Sequence, residues 1–82
     1  MLEGLKNSNK TIGIKQSLKA VEIGNVQTVY IARDAEEKVV GGMKELCAKN
    51  AIEIIYVENM KQLGKACGID VGAAVVCVLK EA

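Results

Sequence analysis

The stretch Gly13-Ile14-Lys15-Gln16-Ser17-Leu18-Lys19-Ala20-Val21-Glu22-Ile23-Gly24-Asn25-Val26-Gln27-Thr28-Val29-Tyr30-Ile31-Ala32 changes its periodicity once, and that change sets the fold class. At 100° per residue Ile14, Leu18 and Val21 share one side of a helix, while Lys15, Gln16 and Lys19 share the other. Gly24-Asn25 is a helix-closing signal. Beyond it, Val26 to Ala32 is β-branched and aromatic, the composition of a strand. Two ammonium groups and one carboxamide thus point away from the apolar stripe together. They are donors for an anionic or acceptor-rich surface, and Gln also pairs with base edges. On pattern alone the commoner reading of such a face is a solvated helix surface.

The same alternation continues outward. Residues 2–7 predict a short helix on Leu2 and Leu5, Asn7-Ser8-Asn9 a turn, and Thr11-Ile12 a very short strand. After the strand, Asp34 with Glu37 three residues on predicts an N-cap and capping box. The second long helix would carry Val39, Met43, Leu46 and Cys47 on its core stripe. Gly41-Gly42 sits inside it at about 1 kcal/mol per glycine relative to alanine, a cost that only the close approach of a neighbour would explain. Ile52 to Val57 reads as a strand, and Asn59 with Gln62 caps a short helix of Leu63, Ala66 and Cys67 closed by Gly68. Ile69 to Gly72 is a tight apolar loop. Ala73 to Leu79, a continuous small-apolar run, reads as a strand covered on both faces. Strands alternating with helices give an α/β protein, an α/β/α sandwich.

Eighty-two residues, half of them apolar and none of them Pro, Trp or Phe, make one domain with an aliphatic core. The net charge of +1 gives no bulk argument for nucleic acid. Its distribution is uneven: residues 1–19 hold four lysines against one glutamate, and residues 20–58 hold four cations against seven acids. One basic side and one acidic side follow, with the opening helix on the basic side. Cys47, Cys67 and Cys77 have no C-x-x-C spacing and there is no histidine, so no zinc set is available. The cysteines read as buried, reduced thiols of a cytoplasmic protein. No apolar run approaches a membrane span, and no signal peptide is seen.

Catalytic chemistry is missing. Without histidine the commonest general base is gone. Gly64-Lys65 lacks the upstream glycine and following hydroxyl of a phosphate-binding loop. Glu36 and Glu37, adjacent in a first helical turn, read as a complement to the helix dipole rather than as an acid–base pair. No enzyme activity, metal or cofactor is expected. Tyr30 and Tyr56, the two aromatics, read as core or sheet packing, because neither lies in a glycine-aromatic RNA-binding signature.

Three segments carry a resemblance. Gly13-Ile14-Lys15-Gln16-Ser17-Leu18-Lys19 resembles the G-x-N/K-E/Q-x-x-K segment of the ribosomal protein L-seven-Ae family. Leu63-Gly64-Lys65-Ala66-Cys67-Gly68-Ile69 resembles that family's L-G-K/R-A-C/A-G-V/I segment, and Asp34-Ala35-Glu36 its acidic element after the second strand. The likeness runs from about Lys10 to Leu79 and is similar to the small bacterial, ribosome-associated branch. It implies a sandwich around a four-stranded mixed sheet, and a non-enzymatic protein that binds kink-turn RNA, a duplex bent at a three-nucleotide bulge beside sheared G·A pairs; a monomer is expected separately, because the pattern shows no exposed apolar helix stripe or long open edge. Ribosomal RNA or a riboswitch-type RNA would be the ligand.

By that resemblance Gly13 admits a phosphate at the helix start, and Lys15, Gln16 and Lys19 reach guanine edges of the sheared pairs. The loop Gly68, Ile69, Asp70, Val71 and Gly72 would meet bases flipped from the bulge, with Ile69 and Val71 packing on them. Glu36 and Val40 would line the pocket of one flipped nucleotide. For these two, dipole complement and core packing stay open as alternatives. The chain departs from many archaeal and eukaryotic members at Lys15-Gln16, where they have Asn-Glu, and at Val71-Gly72, where they often have Arg-Pro. A protein-interaction adaptor using the same apolar loop is the alternative function.

Overall fold

Gly24 takes φ +84°, a left-handed conformation that glycine adopts without a Cβ penalty. Its N–H donates to the Val21 carbonyl (3.0 Å) and the Asn25 N–H to that of Ala20 (3.2 Å). This closes helix α1 (Ile14–Ile23) in a Schellman pattern and releases the chain into strand β2 (Val26–Ala32). The computed structural model describes residues 4–80. The remaining elements are a 3-10 turn (Leu5–Asn7), β1 (Lys10–Ile12), α2 (Glu37–Lys49), β3 (Glu53–Val57), α3 (Met60–Ala66) and β4 (Val75–Leu79). Leu2 lies outside the described residues.

The four strands form one mixed sheet in the order β1-β4-β2-β3. β2 and β3 are parallel, from Thr28 opposite Glu53 to Ala32 opposite Val57. β4 runs antiparallel to both β1 and β2. Residues alternate between the faces, as a period of two requires. Val29, Ile31, Val75 and Cys77 point to a core shared with Ala20 and Val21 of α1 and Val40, Met43 and Cys47 of α2. Tyr30, Ala32 and Val76 point to the other side, where Leu5, Val57, Leu63 and Cys67 close a second core. Two helices cover one face and α3 with the 3-10 turn covers the other, so the three-layer expectation holds. β4 lies between two strands and under both layers, which its unbroken apolar run anticipated. It begins at Val75, two residues later than expected.

Four local expectations need correction. Asp34 does not cap α2: Glu36 occupies that position, without a side-chain cap bond, and the helix starts at Glu37. Asp34 Oδ1 instead accepts the Met60 N–H (2.8 Å), anchoring the start of α3. The core stripe of α2 passes through Val40, 2% exposed, whereas Val39 is 38% exposed. A start at Glu37 sets that phase. Tyr30 is core, but Tyr56 is 42% exposed, because β3 is an edge strand with one neighbour.

The fourth concerns the glycines of α2. No packed neighbour demands them. A Cβ on Gly42 would enter open space, and one on Gly41 would meet only the end of the Glu37 side chain (3.1 Å). Gly42→Ala should therefore stabilise the fold by about 0.5–1 kcal/mol, read as a higher urea midpoint at unchanged slope. A lower midpoint would mean that α2 needs a bend there.

All three cysteines are free and buried. Burial pushes the Cys47 thiol up to about 11, and it raises those of Cys67 and Cys77 as well. Reactive thiolates are thereby suppressed at neutral pH.

Candidate nucleic-acid interface

The order of strands brings three helix starts to one end of the sheet. β2 and β3 both finish there, so the chain turns there into α2 and α3. β1, paired in reverse with β4, also finishes there and turns into α1. The Gly13 N–H donates to the Val75 carbonyl (2.9 Å), the Ala32 N–H to that of Ala74 (2.9 Å), and the Ala73 N–H to that of Met60 (3.0 Å). The loop between α3 and β4 is thus stitched among all three starts. Helix N-termini carry partial positive charge and unsatisfied N–H groups; at α2 and α3 these meet Glu36, Glu37 and Asp34, so the start of α1, which has no acid in its first turn, is the one suited to anions.

Gly13 sits at φ +102° with no side chain over the start of α1. Ser17, the motif's small central residue, is completely buried. Its hydroxyl lies 3.0 Å from the Thr11 hydroxyl, and its carbonyl accepts the Cys77 thiol at 3.8 Å. These contacts tie α1 to β1 and β4 and fix its rotation about its axis. With Ser17 locked inward, Lys15, Gln16 and Lys19 are held outward, and all three are exposed. Gln16 and Lys19 line one shallow cleft of about 310 Å3 beside Thr11 and Ile23; Lys15 lies off it.

The loop of Gly68 to Gly72 is docked rather than free. Gly68 turns the chain at φ +82°, and the Ile69 N–H donates back to the Gly64 carbonyl (3.1 Å). Gly64 presses against the Val71 backbone so closely that a Cβ there would overlap the Val71 carbonyl. Gly72 abuts Met60, its nearest atom 3.1 Å from where a Cβ would stand. In consequence Ile69 is half-buried against the second core while Val71, 69% exposed, stands out from the loop. Asp70 is exposed as well. The apolar pair expected to act together therefore splits: Ile69 anchors and Val71 projects.

Glu36 lies at the start of α2 with its carboxylate largely exposed, 3.6 Å from the Lys38 ammonium. A surface pair of that kind constrains it little. Val40 is withdrawn into the first core and offers at most a floor. So the expected site residues lie on three segments, the first turns of α1, the docked loop and the start of α2, with Val40 withdrawn into the core. Lys61 and Lys65 line a cleft of about 330 Å3 with Ile69, Val71 and Gly72. Their i, i+4 spacing on α3 was the available signal. Among the described residues no group of His, Cys, Asp and Glu is arranged to hold a metal ion, and no helix is long and apolar enough to cross a membrane.

Residues 3–82 match the sequence profile of the family described as "Ribosomal protein L7Ae/L30e/S12e/Gadd45 family". An RNA-binding protein of Caldanaerobacter subterraneus is 55% identical over 65 residues, 79% of each chain. The large ribosomal subunit protein eL8 of Halobacterium salinarum is 36% identical over 83 residues, covering 95% of this chain and 69% of that one. Among solved structures, the Giardia lamblia 15.5kD RNA binding protein superposes with a TM-score of 0.88 at 24% identity, over 98% of this chain and 71% of the other. At that identity the superposition speaks for the fold. A sheet of this order, the docked glycine loop and a profile match over nearly the whole sequence agree: the chain belongs to the ribosomal protein L7Ae/L30e/S12e/Gadd45 family.

Proposed function

We propose that this protein is a non-enzymatic RNA-binding protein, monomeric and cytoplasmic, that captures kink-turn motifs in structured RNA, ribosomal RNA first among them. The observation that carries the reading is the convergence of three helix starts on one docked loop, with Lys15, Gln16 and Lys19 held outward on the helix that begins at Gly13. The names of relatives support it, since several bacterial ones are described as RNA-binding proteins and an archaeal one as a large-subunit ribosomal protein.

Each part of that surface suits a part of a bent duplex. A-form major groove is too narrow for side chains, so an α-helix reads it only where a kink opens it. The start of α1, bare at Gly13, lets the backbone approach phosphate, while Gln16 and Lys19 reach base edges. Val71 offers an apolar rest for a base that has left the stack. Binding is then a population shift: the protein holds bent RNA better than extended RNA, so binding drives bending.

A FRET titration of end-labelled kink-turn RNA at low magnesium tests this. Transfer should rise to saturation with micromolar protein or less. No change in transfer would sink the kink-turn reading. The alternative, a protein-interaction adaptor, draws on the exposure of Val71. It predicts a complex that survives nuclease and high salt, whereas a phosphate contact weakens steeply with salt.

A further inference from the structure

The cleft beside Gln16 and Lys19 also contains a hydroxyl to which the proposed interface gives no role. Thr11 lies on β1, at an edge of the sheet, directly opposite Cys77 of β4. Directly opposed residues turn their side chains to the same face, here the face that α1 covers. There the Thr11 hydroxyl meets that of Ser17 at 3.0 Å. The two hydroxyls differ in their surroundings. Ser17 is completely buried, whereas Thr11 is half-buried and lines the cleft of about 310 Å3 together with Gln16 and Lys19.

That difference sets the direction of the hydrogen bond. A hydroxyl has one proton to donate, and a buried one left without an acceptor is destabilising. Among the described residues, the partner of the Ser17 hydroxyl is that of Thr11. The Cys77 thiol is no substitute: sulfur is a weak acceptor, and its own proton goes to the Ser17 carbonyl at 3.8 Å. So Ser17 donates and Thr11 accepts. The Thr11 proton is then left to turn toward the cleft. Three donors from two elements, one hydroxyl, one carboxamide and one ammonium, thereby surround the same space.

We propose that Thr11 is a further RNA-reading residue, a neutral hydrogen-bond donor aimed into the cleft of Gln16 and Lys19, with buried Ser17 as its positioning residue. This reading rests on the proposed function. A hydroxyl brings no charge, so its contact adds directional selection without adding non-specific attraction. Its proton needs an acceptor, which RNA offers at O6 and N7 of a guanine edge or at a phosphate oxygen. The strand itself has no need of the hydroxyl, since valine suits an extended backbone as well as threonine does.

Fluorescence-anisotropy titrations of kink-turn RNA against three variants separate a contact from a staple. Thr11→Val and Ser17→Ala both break the hydroxyl pair, but only the first removes the outward donor. Thr11→Val should weaken binding about fivefold, the size of one neutral hydrogen bond, with the slope of affinity against salt unchanged. Thr11→Ser should bind as the parent does. Ser17→Ala should lose no more than about twofold, because Ala20 and Val21 still seat α1 in the core. RNAs whose sheared guanines are replaced in turn by 7-deazaguanine and 2-aminopurine then name the acceptor. A guanine edge makes the Thr11→Val loss vanish in one of them, and a phosphate oxygen leaves it intact in both. Equal losses in Thr11→Val and Ser17→Ala, parental binding by Thr11→Val, or a loss in Thr11→Ser as large as in Thr11→Val would each overturn the proposal and leave the kink-turn reading standing. A wild-type protein that does not bind the RNA overturns both.

Discussion

Replacing Gly64 by alanine should cost about 2–3 kcal/mol of net stability, although alanine is the better helix former. The helical gain is about 1 kcal/mol. Against it, the new Cβ would overlap the Val71 carbonyl and stand 3.0 Å from the Val71 carbonyl carbon and 3.2 Å from Gly72 Cα. All three are backbone atoms of the docked loop, which no side-chain rotation relieves, so overpacking falls on the loop as a whole. Urea unfolding should show the loss. Kink-turn RNA should bind at least tenfold more weakly even where the variant is fully folded, because the docked loop that presents Val71 is displaced from α3. A variant more stable than the parent would show that the loop yields freely and that its docking has no part in recognition.

The second large effect separates α1 from charge in general. Gln16→Ala and Lys19→Ala should each raise the dissociation constant for kink-turn RNA by about five- to 150-fold, the ~1–3 kcal/mol of a lost base-edge contact. Lys44→Ala, on α2, should leave binding of the same RNA nearly unaffected. All three remove a donor from an exposed or half-exposed helix position, and two of them remove the same charge. Site-specific contact therefore predicts a split, and equal losses would mean non-specific attraction. Titration by fluorescence anisotropy at fixed salt decides between them.

The elements that the sequence makes legible are those whose signals are local. Gly24 ends α1 because the left-handed conformation is a property of one residue. Asn59 caps α3, its Oδ1 accepting the Gln62 N–H at 2.8 Å, because cap and donor are three residues apart. Asp34 misleads for the opposite reason: its partner, Met60, is 26 residues away, and only the sheet brings them together. Val39 and Val40 are adjacent and chemically alike, so the phase of α2 depends on where the helix starts. Tyr56 is exposed because of which strand lies at the edge, a fact of topology. The same division holds for the interface. The outward face of α1 could be read from its period, but the splitting of Ile69 from Val71 depends on how the loop meets Gly64.

The direction of the sheet has one practical outcome. With every helix start at one end, the opposite end holds the Gly24-Asn25 corner, the Asn50-Ala51 turn and Lys80, whose N–H donates to the Asn25 carbonyl at 2.9 Å. Ala51 already accommodates φ +55° in that turn, which sits in solvent. A fluorophore, a surface tether or a fused module attached there stands a full strand length from the three helix starts. The fold thus comes with a grip at one end and a handle at the other, which makes it a ready component for immobilised or tandem RNA capture.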